Sequence, residues 1–211
     1  MGLLKKILGQ CRKPTGHFGR LLAHGMNLGH ASLTTWGLSH IDISSDSVSL
    51  DIGCGGGKTL NRLATKAENG KAYGIDCAEP SITVSRKKNR KFIMTGRVEV
   101  LQGTVSSMPF ADEMFDLVTA IESHYFWPDF AEDLLEIKRV LKPSGQLLIV
   151  GAVYKTAKFE RRNRRIVKES GMTYLSAQEM ADSLHTAGFA QASVYEERRK
   201  GWFCATGIRP D

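Results

Sequence analysis

The residues that can do chemistry in this 211-residue chain gather first around three glycines and two carboxylates. Asp51 stands just before Gly53, Gly55 and Gly57, which follow one another at alternate positions. Glycines so spaced let the backbone pass close to a ligand without any Cβ in the way. A helix opening at Lys58 would aim its free N–H groups at the same point. An acid at Asp51 would repel a pyrophosphate and attract an ammonium or sulfonium. Asp76, at the end of the next strand-like run, is placed to accept both hydroxyls of a ribose. Two familiar phosphate loops are excluded. The dinucleotide pattern G-x-G-x-x-G fails because Lys58 stands where its third glycine belongs, and the tempting Gly57-Lys58-Thr59 lacks a glycine at the P-loop distance.

Strand-like and helix-like segments alternate from Ser47 onward, which is the α/β pattern. Val48, Leu50 and Ile52 alternate with Ser49 and Asp51 as a strand should. A helix is expected over residues 58–68, with Leu60, Leu63, Ala64 and Ala67 on one face and Gly70 as its stop. Residues 71–76 read as the second strand, 80–90 as a helix opened by Pro80, 97–102 as the third strand and 115–121 as a nearly continuous apolar fourth. A helix over 130–141, ended by Pro143 and Gly145, leads to a fifth strand at 146–150. After a polar, arginine-rich passage, Ser176 and Glu179 form a capping box for a helix over 176–187. Residues 192–197 and 202–208, separated by Arg198-Arg199-Lys200-Gly201, read as an antiparallel hairpin. The expected fold is α/β, Rossmann-like and doubly wound, with a mostly parallel seven-stranded sheet that ends in a C-terminal antiparallel hairpin. The first 42 residues are expected to form a helical cap over the C-terminal edge of the sheet, and 43–211 the main domain.

Composition narrows the class. The chain is long enough to bury a core without disulfides or metals. Cys11, Cys54, Cys77 and Cys204 are scattered, with no C-x-x-C pair and no histidine at metal spacing, so no metal is expected and reduced thiols are. The start of the chain is too polar for a membrane span and lacks a signal-peptide core, which predicts a soluble cytoplasmic protein. The net charge is +7, no acid precedes Asp42, and a second basic cluster holds Lys155, Lys158, Arg161, Arg162, Arg164, Arg165 and Lys168. Such runs attract anions, yet they more often mark a solvated helix face, so nucleic acid is not the expected partner.

Taken together, these motifs resemble the class I S-adenosylmethionine-dependent methyltransferases from about Val48 to the end, nearest to small-molecule enzymes of the ubiquinone and menaquinone type. The glycine run is similar to their first motif and Gly74-Ile75-Asp76 to their second-strand acid. Gly103-Thr104-Val105-Ser106-Ser107-Met108-Pro109-Phe110 resembles their adenine loop, with Thr104 where an aspartate is usual, and Leu141-Lys142-Pro143-Ser144-Gly145 their turn before the fifth strand. The resemblance implies S-adenosyl-L-methionine as cofactor, with S-adenosyl-L-homocysteine as product. The residues expected to hold it are Asp51, Gly53, Cys54, Gly55, Asp76, Cys77, Thr104, Val105, Ile121 and Glu122.

Methyl transfer from a sulfonium is an in-line displacement, so the protein chiefly aligns the acceptor and excludes water. A general base is needed only when the acceptor starts protonated. Candidates are His124 and Glu122, just beyond the fourth strand, and His30, which with Met26 and Asn27 is similar to a Met-Asn-x-x-His pattern of the same enzymes. The expected reaction is methylation of a small-molecule acceptor by a monomer or homodimer. RNA methylation and non-catalytic cofactor binding are the alternatives. The run after the fourth strand lacks both the Asn/Asp-Pro-Pro-aromatic grip of amino-methylating enzymes and the Pro-Cys of cytosine C5 enzymes.

Overall fold

The computed structural model describes residues 31–211. Among these, seven strands form one sheet in the order β3-β2-β1-β4-β5-β7-β6. They are β1 (Val48–Ile52), β2 (Lys71–Asp76), β3 (Val98–Gln102), β4 (Phe115–Ile121), β5 (Leu141–Gly151), β6 (Ala190–Glu197) and β7 (Trp202–Ile208). The first five pair in parallel, and β7 is antiparallel to both β5 and β6. Strand order reverses beside β1, so the crevice at its C-terminal end is the place where such a sheet binds ligands.

Seven helices are described: α1 (Ala31–Gly37), α2 (Lys58–Lys66), α3 (Glu79–Lys88), α4 (Arg90–Met94), α5 (Phe130–Val140), α6 (Glu160–Ser170) and α7 (Ala177–Thr186). Two apolar cores sandwich the sheet. On one face Leu134 and Ile137 of α5 and Met180 and Leu184 of α7 meet Phe115, Leu147 and Phe203. On the other, Leu60 and Leu63 of α2 and Ile82 of α3 meet Leu148, Val150 and Cys204. The near-continuous apolar run of β4 follows from this double cover. No described helix is long and apolar enough to cross a membrane.

The structure alters several expectations. The helix expected over 80–90 breaks at Asn89, because that buried side chain turns back to donate to the carbonyl of Gly57 at 3.0 Å. The fifth strand starts earlier, at Leu141 beside Phe115, and its register shifts across Pro143–Gly145 before regular pairing resumes at Leu117–Gln146. The arginine-rich passage forms α6. At the N-terminus, residues 1–30 lie outside the described residues. Of the expected cap, residues 31–42 are described: Leu33 and Leu38 join the core of α2 and α3, and Gly37 lies so close to Val150 that an added Cβ would sit 2.5 Å from its Cγ2.

Candidate active site

β1 ends in Asp51 and Ile52, and the chain then turns through Gly53, Gly55 and Gly57, whose φ angles of 69°, 51° and 74° are all left-handed. Two of these glycines are also fixed by contact. A Cβ on Gly53 would lie 2.5 Å from the Cβ of Ser123, and one on Gly57 would lie 2.3 Å from Ser85 Oγ. Gly55 differs, since the nearest atom to its Cβ position is Gly53 O at 3.9 Å. Its outer side is therefore open, as a backbone segment that receives a ligand must be. The N–H groups of Gly53 and Cys54 donate to Ile75 O at 2.8 and 2.9 Å, which ties the turn to the end of β2.

Asp51 lies beneath this turn, 2 % exposed. Its Oδ1 accepts from Thr119 Oγ1 at 2.8 Å, across a β1–β4 register that sets the two residues side by side. Burial pushes its pKa up to about 7, the Thr119 bond opposes this, and the nearby charge of Asp76 adds to it. A buried carboxyl in that state gains most from a cationic partner. Asp76 receives the N–H of Gly55 at 3.0 Å on Oδ2 and that of Ala78 at 2.9 Å on Oδ1. Burial raises its pKa as well, while these two bonds and one from the Ser81 side chain lower it.

The remaining sequence candidates fall into different surroundings. Cys54 is buried against Gly74, 3.9 Å from Ser85 Oγ, and burial holds its thiol protonated, so it serves as a small spacer. Cys77 is exposed beside Asp76, and its carbonyl accepts from Gln102 Nε2. Thr104 is exposed in a bridge with Ser107, while the Val105 side chain points into the core and leaves its backbone as the only group to offer a ligand. Ile121 pairs with Val150 at the C-terminal end of β4.

Glu122 takes a left-handed φ of 59° directly after β4. Its Oε1 accepts from Ala152 N at 2.6 Å and from the Tyr125 hydroxyl at 2.9 Å, and that hydroxyl accepts in turn from Ala152 N and Val153 N at 2.7 and 3.0 Å. Glu122 thereby fastens the end of β4 to the end of β5. His124 corrects the expectation of an acceptor-facing base. It is 2 % exposed, its ring packs against Tyr125 and Phe203, and Nδ1 has no hydrogen-bond partner. Burial drives its pKa down to about 3, so it is a neutral core residue. His30 lies outside the described residues.

Sequence reasoning missed Thr119 and Asn89. Only Thr119 carried a signal, as the one hydroxyl in the apolar run of β4. A cleft of about 360 Å³ lined by Asp42, Asp46, Asp116, Lys142 and Ser144 opens at the opposite ends of the strands. Asp116 is already bonded there to Lys142 Nζ and Val48 N, and the cleft takes no part in this site.

Residues 50–149 match the family described as "Methyltransferase domain". The chain is 34 % identical over 113 residues to methyltransferase GfsG of Streptomyces halstedii, an alignment covering 54 % of this chain and 40 % of that protein. It is 33 % identical over 112 residues to demethylmenaquinone methyltransferase of Lactiplantibacillus plantarum, covering 53 % of this chain and 47 % of the relative. The matched stretch thus spans less than half the length of these relatives. A solved S-adenosylmethionine-dependent methyltransferase from Aquifex aeolicus superposes with a TM-score of 0.74 at 23 % identity, covering 90 % of this chain and 97 % of that one.

Proposed function

We propose that the chain is a class I S-adenosylmethionine-dependent methyltransferase, with S-adenosylmethionine as its cofactor, that methylates a small-molecule acceptor. When bound, the cofactor supplies a methyl group on a positively charged sulfur. The open side of Gly55 is where its backbone would lie against the turn, with Asp51 beneath to balance positive charge and Asp76 to accept the ribose hydroxyls. Asp76 already holds Gly55 N–H and Ala78 N–H, so a carboxylate with about four acceptor positions both shapes the turn and keeps capacity for a ligand. The backbone at Thr104 and Val105 would meet the adenine. Cys54, Cys77 and Ile121 would fill space beside it.

The observation that carries this reading is the pairing of Asp51, buried and held near neutrality, with a glycine turn open only at its middle member. The small-molecule acceptor is supported by relatives named for such substrates, demethylmenaquinone among them. With His124 sealed in the core and Glu122 Oε1 committed to Ala152 and Tyr125, neither stands ready as the base for an acceptor that starts protonated. Calorimetry with S-adenosylmethionine and S-adenosylhomocysteine, followed by turnover on a panel of quinols, phenols and alcohols, tests the proposal. Binding of both cofactor forms with methylation of a panel member is expected. Cofactor binding with turnover only on RNA would overturn it.

A further inference from the structure

The basic passage 155–168 and the hairpin turn 198–200 are far apart in sequence, but the fold joins them. Lys158 Nζ donates to Arg199 O at 3.0 Å, and the Phe159 ring fills the space beside Gly201, where a Cβ would lie 2.4 Å from its Cδ2. Arg161, Arg164, Arg165 and Lys168 are all exposed on α6, at spacings that bring them onto one side of the helix. Of these only Arg164 is in an ion pair, with Glu160, and of the hairpin cations only Arg198 is, with Glu196. Among the described residues the side chains of Arg161, Arg165, Lys168 and Arg199 have no acidic partner.

A shelf of rings continues from the hairpin. Lys200 Nζ lies 4.3 Å above the Trp202 ring, Trp202 is 6.0 Å from Trp36, and His40 bridges Trp36 at 4.7 Å to Tyr195 at 4.5 Å. Tyr195 is 44 % exposed. The pairings of Gly151 with Phe203 and of Glu197 with Trp202 set the whole assembly at the C-terminal end of the sheet, the end that also carries the glycine turn.

These cations do not converge on a point, as a site for one phosphate would require. On α6 they follow one another along one side, and the hairpin tied to it by Lys158 and Phe159 leads to rings in tilted and edge-on contact. A row of unpaired cations matches an extended polyanion, and adjacent aromatic faces match planar bases. A bilayer surface would call instead for large apolar side chains standing beside the cations. Among the described residues the exposed large apolar ones are Met94, Leu135 and Tyr195, and of these Tyr195 alone belongs to this region.

We infer that α6 and the β6–β7 hairpin form a docking face for single-stranded nucleic acid, with phosphates along Arg161, Arg165, Lys168 and Arg199 and bases against Trp202 and Tyr195. The inference is independent of what the acceptor is. It replaces the sequence-based expectation of a merely solvated helix face with a partner.

The test measures fluorescence anisotropy of a labelled 20-nucleotide oligouridylate with the full chain at increasing salt, together with tryptophan emission. Wild type is expected to bind with a steep salt dependence and quenched emission. The triple variant Arg161→Gln, Arg165→Gln, Lys168→Gln is expected to bind at least about tenfold more weakly, with a log–log salt slope smaller by about 2, since each single-strand phosphate contact contributes about 0.7. Its affinity for S-adenosylmethionine should be unchanged, which separates loss of this face from loss of the fold. Equal binding by the triple variant would overturn the inference, because the cations would then lie elsewhere. So would inorganic polyphosphate competing equally well with emission unaltered, or phosphatidylserine vesicles capturing the protein when the oligonucleotide does not.

Discussion

Thr119 Oγ1 donates a 2.8 Å hydrogen bond to Asp51 Oδ1, and this bond opposes the burial that, on balance, leaves the carboxyl pKa raised to about 7. The group is thus poised between its two forms near pH 7.

A proton balance follows for cofactor binding. A cationic ligand beside Asp51 stabilises its ionised form, so below about pH 7 binding must expel the proton. Affinity for S-adenosylmethionine should rise with pH up to about 7 and then level off. Calorimetry at pH 6.5 in buffers of different ionisation enthalpy should detect proton release of a fraction of one per site. Asp51→Asn should abolish that release, and its persistence would assign the proton to Asp76.

Stability should respond to the same group with the opposite sign from His124. Asp51 has a raised folded-state pKa, so its contribution is full below about 3.8 and is lost as pH rises to about 7. His124 has a lowered one, so its contribution is full above 6.5 and is lost as pH falls toward 3. Between about pH 4 and 6.5 the two slopes, each about 1.4 kcal/mol per unit, nearly cancel. Urea titrations of the cofactor-free protein should therefore show Asp51→Asn losing several kcal/mol more than wild type on acidification across that window. His124→Leu should remove the acid-side loss and leave cofactor affinity unaltered, whereas loss of affinity would return His124 to the site.

These contrasts show what the sequence could and could not carry. The spans of β2 and β4 and the Ser176–Glu179 capping box were legible because alternation, bounding glycines and cap chemistry are local. The hairpin was legible for the same reason. The helix α6 was not, since only Asn163 is buried in it and an apolar stripe is missing. The break at Asn89 was invisible because its cause, the carbonyl of Gly57, is distant in sequence. His124 stands among aromatic residues after a strand, and sequence alone does not say which way the short 3₁₀ turn at His124–Phe126 rotates it. Asp51, Gly55 and Asp76 could be proposed for the site because their types and spacing already state a chemistry, while Thr119, Ser123 and Tyr125 act through pairings that exist only once the sheet forms.

Asp76→Ala should act twice. It removes the acceptor for Gly55 N–H and Ala78 N–H as well as the proposed ribose contact. Cofactor affinity should fall by about 1–3 kcal/mol and stability by about 1–2 kcal/mol. Asp76→Asn should recover most of the stability and little of the affinity. Chemical denaturation beside calorimetry separates the two effects, and unchanged affinity in both variants would remove Asp76 from the cofactor site.

The glycines divide into a ligand position and a packing position. At Gly55 a side chain enters open space, with φ at 51° the main local cost, so Gly55→Val should stay folded and lose cofactor binding. At Gly57 a Cβ would meet Ser85 Oγ at 2.3 Å, Asn89 Nδ2 at 2.5 Å and the Ser85 backbone at 2.9 Å, so even Gly57→Ala must displace α3. Its Tm should drop by many degrees before any question of ligand arises. Asn89→Ala completes the set: it leaves the Gly57 carbonyl without its 3.0 Å donor and Asn61 Nδ2 without its acceptor. A stability loss of about 1–3 kcal/mol is expected. Weakened cofactor binding should accompany it, because the turn that presents Gly55 is then held from one side only. Full binding by Gly55→Val would mean that the turn, for all its open geometry, is not where the cofactor lies.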